Sequence, residues 1–230
     1  MTGIVPNYML PSPVEVVTAL INDFSNIIYH TGISVTETII GLCLGVILAF
    51  VIATIMERFL TMNKAFYPLL IISQTIPTIA IAPILVLWMG FGMAPKITLV
   101  IITTFFPMSV GLLDGYKSVD PDAVHLMRSM GASRRQIFFH AKLPAAMPHF
   151  FSGLKISASY AVVGAVVSEW LGGFEGLGVY MTRVKKAYAF DKMFAAIVVI
   201  IIISLLLILI VNIIRKRTMP WERVVTTKHH

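Results

Sequence analysis

Three histidines, His125, His140 and His149, fall within residues 114–149 together with Asp120, Asp122 and a group of arginines. Imidazoles and carboxylates are the groups that hold zinc or move protons. Their spacing here makes no H-E-x-x-H or comparable ligand pattern, so neither a metal site nor a catalytic set is expected. "GGFEGLG" (Gly172–Gly178) is glycine-rich but lacks the lysine of G-x-x-x-x-G-K-[ST], so it cannot cradle nucleotide phosphates. The single cysteine, Cys43, leaves no partner for an intrachain disulfide and reads as a small packing residue. Glu37, Lys155 and Glu169 stand near the ends of apolar runs, which leaves no proton or charge relay expected across a membrane.

The elements that carry these residues are mostly apolar. Of 230 residues 57% are hydrophobic and only 13% charged, and the mean hydropathy is +0.87. So few polar groups cannot clothe a soluble globule. An all-α integral membrane protein is expected. The net charge of +7 is divided among short clusters between apolar runs, which argues against a nucleic-acid surface and for orientation in a bilayer. A spanning helix needs about 20 apolar residues, and five runs qualify: 35–56, 66–89, 97–113, 150–171 and 193–214.

If 114–149 is cytoplasmic, thirteen of the eighteen Lys and Arg lie inside and five lie outside: Lys96, Arg183, Lys185, Lys186 and Lys192. Basic residues are retained on the cytoplasmic side. This places the N-terminus outside and the basic tail 215–230, opened by Arg215-Lys-Arg217, in the cytoplasm. Residues 1–34 lack a basic start followed by an apolar core and cleavage site, so they read as an external segment and not as a signal peptide. Ser12, Pro13 and Glu15 compose a capping box with proline at the first helical position. Val14, Val17, Ile21, Phe24 and Ile28 then recur at helical spacing, which fits either an amphipathic helix at the outer interface or an ordinary packed helix.

The spans differ in character. Gly41 and Gly45 in the first, and Ser157, Ala161 and Ala165 with Gly164 and Ser168 in the fourth, permit close helix contact. The fifth is uniformly aliphatic and is expected to face lipid. The second is interrupted by Pro68, Pro77 and Pro83, with Gln74 and Thr75 just before Pro77. Proline frees a carbonyl and kinks a helix, and an amide in hydrocarbon normally faces protein or a water-filled path. Gln74, Thr75 and Pro77 are therefore pathway candidates, the competing reading being a structural kink. Ser168 and Glu169, near the outer end of the fourth span, are gate candidates. For Glu169, contact with a polar substrate or partner competes with a quieter role as an interfacial carboxylate paired with a lysine.

One water-facing stretch stands apart from this apolar background: "RSMGASRRQIFFHAKLPAAMP", residues 128–148. Asp120 and Pro121 predict a helix start and Gly131 its glycine stop. Ala123, Leu126, Met127 and Met130 then make an apolar stripe that needs a cover. Ser133 is expected to cap a second segment, carrying Arg134 and Arg135, that runs to Leu143-Pro144, with Pro148 leading into the fourth span.

Gly131, nine residues, one position, one more residue and Leu143-Pro144 resemble the cytoplasmic E-A-A-x3-G-x9-I-x-L-P loop of permease subunits of binding-protein-dependent ABC importers. His125-Leu126-Met127 stands in place of Glu-Ala-Ala, and Ala141 in place of isoleucine. "YMLPSPVEVVTAL", "AIAPILVLWMGFG" and "SEWLGGFEGLGVYM" are similar to segments of the nitrate, sulfonate, taurine and thiamine-precursor subfamily. The last, continued to "TRVKKAYAFDKMFAAI", is more similar to thiamine-precursor pyrimidine permeases than to those of the sulfonate type. Members of that subfamily commonly carry a further span before "LPSP", which leaves open either a five-span version or a start further upstream.

The resemblance implies a type I importer permease fold in the bacterial cytoplasmic membrane. It also implies a translocation pathway for a small polar solute, with sulfonate, taurine or nitrate as alternatives to the pyrimidine. Its implied partners are two copies of an ABC ATPase that binds ATP and Mg, an extracytoplasmic solute-binding protein and a second permease copy, simplest as a homodimer. The 120–144 loop would be the coupling element. Asp120 would start it, Ala123, Met127 and Met130 would fill an ATPase groove, Gly131 would turn, Arg128, Arg134 and Arg135 would meet acidic or carbonyl groups, and Leu143-Pro144 would close the motif. Positive-inside retention alone also accounts for the arginines. The competing class is an ATP-independent secondary transporter, which needs coupling groups within the spans.

Overall fold

The computed structural model describes residues 10–220. Residues 1–9 and 221–230 lie outside the described residues, and with them much of the expected basic tail and His229-His230. The described chain is built of helices: α1 (Pro13–Asn22), α2 (Phe24–Arg58), α3 (Leu60–Ser73), α4 (Thr78–Met89), α5 (Met93–Lys117), α6 (Pro121–Ser129), α7 (Arg134–Ile137), α8 (Leu143–Gly172), α9 (Leu177–Lys186) and α10 (Phe190–Thr218). A π-helical turn, Phe138–Lys142, joins α7 to α8. Among the described residues four helical stretches are long and apolar enough to cross a membrane. The bent pair α3 and α4 makes a fifth if it crosses as one.

The helices extend beyond the apolar runs that announce them. The run 35–56 belongs to a helix that begins at Phe24, inside the segment expected to be external. Likewise α5 continues to Lys117 and α8 begins at Leu143, which shortens the expected 114–149 loop to residues 118–142. Hydropathy reports the hydrocarbon depth of a helix, whereas its ends are set by caps and breakers. Leu143-Pro144 therefore does not end the second loop segment but opens α8, and Pro148 lies within that helix. Proline cannot donate to the carbonyl four residues back. The wider turn at Phe138–Lys142 lies immediately before Pro144, where that donor is missing.

The chain divides into two compact units. Of the described residues, unit 1 takes 10–43, 76–103 and 159–206, and unit 2 takes 44–75, 104–158 and 207–220. In unit 1, Ala19 of α1 and Ile27 of α2 pack with Leu177, Tyr180, Val184, Ala195 and Ala196. The Ser12 capping box starts α1, with Ser12 accepting from the Glu15 N–H and Glu15 accepting from the Ser12 N–H. Val14, Val17, Ile21, Phe24 and Ile28 are all exposed. The stripe is thus left uncovered within the chain, while α1 packs through its other side.

Small residues bring the spans together. In unit 1 a Cβ at Gly41 of α2 would lie 2.5 Å from Val100 of α5, and one at Gly164 of α8 would lie 3.1 Å from Thr103. In unit 2 Gly115 of α5 faces Ala146 of α8, and the buried Ser157 hydroxyl donates to the Thr104 carbonyl at 3.1 Å. Ala161, Ala165 and Ser168 are also buried, whereas α10 leaves Ile201, Ile202, Leu205, Leu206, Leu209 and Ile210 exposed.

Gly115→Val tests this packing. Its Cβ would fall 2.7 Å from the Ala146 Cα and 2.9 Å from its Cβ, so α5 and α8 must separate. A loss of about 1–3 kcal/mol is expected, read as a lower unfolding temperature of the purified, normally inserted protein in detergent.

Candidate functional site

Two polar assemblies interrupt the apolar framework. The first, in unit 2, is built around α6. The Asp120 carboxylate accepts the Asp122 N–H at 2.9 Å and Pro121 occupies the first helical position. At the far end Gly131 adopts φ +82°. The Gly131 N–H donates to the Arg128 carbonyl and the Ala132 N–H to the Met127 carbonyl, both at 2.9 Å. These bonds take up carbonyls that the helix end would otherwise leave free.

One face of α6 is anchored and another is open. Val124 is buried, whereas Leu126 is 63% and Met130 is 78% exposed. Ala123 is exposed and Met127 half-buried. At about 100° per residue, Arg128 lies roughly 160° around the axis from Leu126 and Met130 and roughly 40° from Val124. The arginine and the open stripe therefore use different sides of the helix. Ser133 accepts the Gln136 N–H and donates its own N–H to Gln136 at 2.7 Å, a second capping box that starts α7. Lys142 in the π turn forms an ion pair with Glu57 of α2, and Lys117 sits 4.2 Å over the Tyr67 ring, whose hydroxyl donates to Asp114.

The second assembly, in unit 1, is buried. Glu37 is 0% exposed and pairs with Lys96 at 2.7 Å, and the same ammonium donates to the Glu175 carbonyl at 3.0 Å. Glu169, 1% exposed, accepts from the Ser34 hydroxyl at 2.5 Å and from the Gly178 N–H at 2.6 Å. The Ser34 oxygen in turn accepts the Leu177 N–H at 2.8 Å, and His30 accepts the Gly176 N–H at 3.1 Å. These bonds hold the backbone of the glycine-rich loop against α2. Gly176, at φ +117°, has no room for a Cβ because the Glu169 carboxylate occupies that space.

This geometry corrects the expectation that Glu169 pairs with a lysine: its direct partners are a hydroxyl and a backbone amide, and Lys96 bridges to Glu37 instead. Ser168, which donates to the Ala165 carbonyl, is buried like Glu169. Both gate candidates thus face packed protein, because α8 turns its small-residue side inward there. Gln74, Thr75 and Pro77 occupy the break between α3 and α4 and are exposed. The Thr75 hydroxyl donates to the Ile72 carbonyl.

Lys96, assigned to an outside loop on sequence, belongs to α5 and is buried, and Ser34, His30 and Glu175 were not singled out. A usable signal existed. An unpaired Glu37 in one apolar run and a lysine opening another invite the test of whether they meet. Among the described residues, no three His, Cys, Asp or Glu side chains cluster as metal ligands would.

A capped, half-open surface helix thus lies between helices long and apolar enough to cross a membrane. The chain belongs to the binding-protein-dependent transport system inner membrane component family, whose model matches residues 15–222. It is an ABC importer permease of the inner membrane. It is 37% identical over 218 residues to the formylaminopyrimidine transport permease protein ThiX of Halalkalibacterium halodurans, covering 94% of this chain and 87% of that protein. It is 27% identical over 226 residues to the putative aliphatic sulfonates transport permease protein SsuC of Bacillus subtilis, covering 95% and 80%. In fold it is similar to an amino acid ABC transporter structure crystallised with histidines, at a TM-score of 0.72 and 14% identity, covering 87% of this chain and 97% of that one.

Lys96→Met strands the buried Glu37 carboxylate and is expected to cost about 3–5 kcal/mol. Glu37→Gln combined with Lys96→Met is expected to recover much of that loss. Thermal unfolding of the single and double variants in detergent measures the coupling, and equal losses in both would show that the pair contributes nothing specific.

Beside this network, Asp23 accepts from the Tyr180 hydroxyl at 2.7 Å and pairs with Lys192 at 3.1 Å. Burial alone would raise the Asp23 carboxyl, but hydrogen bonds from Tyr180, Asn26 and Lys192 outweigh it and hold the group below its ordinary value. A lowered folded-state value stabilises the fold fully above the ordinary aspartate range, and this contribution disappears as pH falls through the lowered value. Asp23→Asn is therefore expected to flatten the acid limb of the unfolding-temperature profile without moving its slope at neutral pH.

Proposed function

We propose that this chain forms the translocation pathway of an importer for a thiamine-precursor pyrimidine and takes its driving force through α6 from a separate ATPase. The 37% identity to the formylaminopyrimidine permease, sustained over nearly the whole chain, carries the substrate assignment. The exposed Leu126 and Met130 stripe, set between a capped start and a positive-φ glycine, supports the coupling role.

In this reading α6 faces the cytoplasm, because Arg128 of α6, Arg134 and Arg135 of α7 and Arg215, Lys216 and Arg217 in the last turn of α10 mark the side on which basic residues are retained. The N-terminal end and the glycine-rich loop then face outside, where a solute-binding protein delivers its ligand. Gly172–Gly178 forms a surface fixed by Glu169, Ser34, His30 and Lys96. Two copies of the permease, as a homodimer, pair with two ATPase subunits. ATP and Mg belong to the ATPases, since this sequence has no phosphate-binding lysine motif. Closure of the ATPases shifts α6, and the rigid α7 to α8 connection carries that displacement into the span. Gln74 and Thr75, at the proline break, are the polar groups available to line the pathway. No nucleic acid takes part.

Reconstitution with the ATPase and binding protein encoded beside this chain tests the assignment. Formylaminopyrimidine presented by its binding protein is expected to stimulate ATP hydrolysis and uptake, and sulfonates and nitrate are not. Stimulation by an alkanesulfonate instead would reassign the substrate in line with the resemblance to SsuC.

Coupling has its own readout. Gly131 has open space around its missing side chain, so the cost of Gly131→Val comes from its φ of +82°. A β-branched residue is an outlier there, at a cost of about 1–2 kcal/mol. Uptake is expected to fall at least tenfold (about 1.4 kcal/mol at 25 °C) with insertion unchanged. Leu126→Asp with Met130→Asp is expected to release the ATPase during purification. Normal ATPase retention by that double variant would move the docking surface away from α6.

A further inference from the structure

Opposite the open stripe of α6, unit 2 forms a half-open cavity of about 480 Å³ lined by Thr54, Glu57, Ile137, Phe138, Phe139, Lys142 and the exposed Arg58, Arg128, Arg134 and Arg135. Five cations thus converge on one space with a single carboxylate, Glu57, which Lys142 already neutralises. None of the four guanidinium groups makes an ion pair or side-chain hydrogen bond among the described residues. Arg128 reaches this space because it lies on the Val124 side of α6, away from Leu126 and Met130.

Cations held together without counter-charge repel one another, and a fold that gathers them gains when an anion enters. Guanidinium forks suit the oxygens of a phosphate, which they grip two at a time.

We propose that this cavity binds the phosphate headgroup of an anionic phospholipid. The surroundings favour a lipid over a soluble anion. Arg58 ends the long apolar helix α2, and the next two residues, Phe59 and Leu60, are exposed aromatic and aliphatic surface. Phe139, which lines the cavity, is likewise exposed. A phosphate between arginines with apolar side chains beside it is the surface of a headgroup whose acyl chains continue into the bilayer. The basic side of a membrane protein meets the leaflet that carries anionic lipid. An acidic protein surface would pair with the arginines but would leave Phe59, Leu60 and Phe139 without a matching partner. The lipid would tie the α2 end to the α6–α7 loop, setting the stiffness of the element that moves with the ATPase.

The experiment uses the full-length chain, purified in a neutral detergent and depleted of lipid. Its unfolding temperature is followed as phosphatidylglycerol, phosphatidylcholine or inorganic phosphate is added. Phosphatidylglycerol is expected to stabilise it, with phosphatidylcholine and inorganic phosphate ineffective. Arg58→Gln, Arg134→Gln and Arg135→Gln are each expected to weaken the apparent phosphatidylglycerol affinity roughly fivefold, whereas Lys64→Gln, which removes an exposed charge outside the cavity, leaves it unchanged. Arg134→Lys, which keeps charge but loses the fork, is expected to fall between. Equal stabilisation by phosphatidylcholine overturns the proposal. So does equal stabilisation by inorganic phosphate, which would make the cavity a soluble-anion site. An unaltered phosphatidylglycerol response in the arginine variants, or an equal loss in Lys64→Gln, also overturns it. If the arginine variants instead lose only ATPase binding, the cavity belongs to the protein partner.

Discussion

A polar group buried among apolar helices depends on a partner in the protein, and that requirement organises unit 1, although Glu37 Oε2 and the Thr31 hydroxyl find none among the described residues. Glu37 and Glu169 are buried in otherwise apolar helices, close enough to feel each other's charge. Lys96 compensates Glu37, and Ser34 with the Gly178 N–H compensates Glu169. Breaking either arrangement leaves a buried carboxylate with no solvent to turn to, so the costs fall on the group left behind. The loop gains its shape from the same bonds. Its amides at Gly176, Leu177 and Gly178 donate to His30, Ser34 and Glu169, so the loop is positioned by α2 and α8 instead of by its own propensity. Glycine is required at 176 both for its positive φ and because a carboxylate stands where a side chain would be.

What could be read from the sequence divides along the range of the interactions. Caps are local, and Ser12 with Glu15, Asp120 with Pro121, and Gly131 all act where their residue types place them. The apolar runs 35–56, 97–113, 150–171 and 193–214 fall on α2, α5, α8 and α10, whereas 66–89 is split between α3 and α4, which are bent by 102°; the small residues of α8 marked its buried side. Long-range polar pairing was not legible in that way. Glu37 and Lys96 are 59 residues apart, and Ser34 and Glu169 are 135 apart. Composition therefore placed each charge at a span end, and only the packing of α2, α5 and α8 showed that they meet. Helix ends were misplaced for a related reason. A polar residue leaves an apolar run before it leaves a helix, so Phe24–Ser34 reads as surface although it is continuous with α2.

The loop between α5 and α8 shows how one short segment can serve two surfaces. A stripe at helical spacing reports that a face is apolar but says nothing of which face is buried. The stripe read from sequence joined Ala123, Leu126, Met127 and Met130, whereas the anchoring residue is Val124, displaced by about 100° around the axis. That rotation leaves Leu126 and Met130 open and carries Arg128 to the other side. An exposed apolar pair and a basic cavity then coexist on different sides of a nine-residue helix.

The connection into α8 follows from two prolines. Pro144 and Pro148 lie four residues apart, and the amides they lack would have bonded to the carbonyls of His140 and Pro144. An isolated helix would kink there. Here the chain widens into the π turn Phe138–Lys142 just before Pro144. That turn brings Lys142 to Glu57 and the Phe138 ring to 5.4 Å from that of Tyr116, whose hydroxyl lies 3.3 Å from the Thr54 hydroxyl. The ends of α2 and α5 are thereby tied to the start of α8 at the point where its own backbone bonding is weakest. A displacement of the loop would then be shared by three helices rather than absorbed by one flexible joint, which is the mechanical property that the proposed coupling role requires.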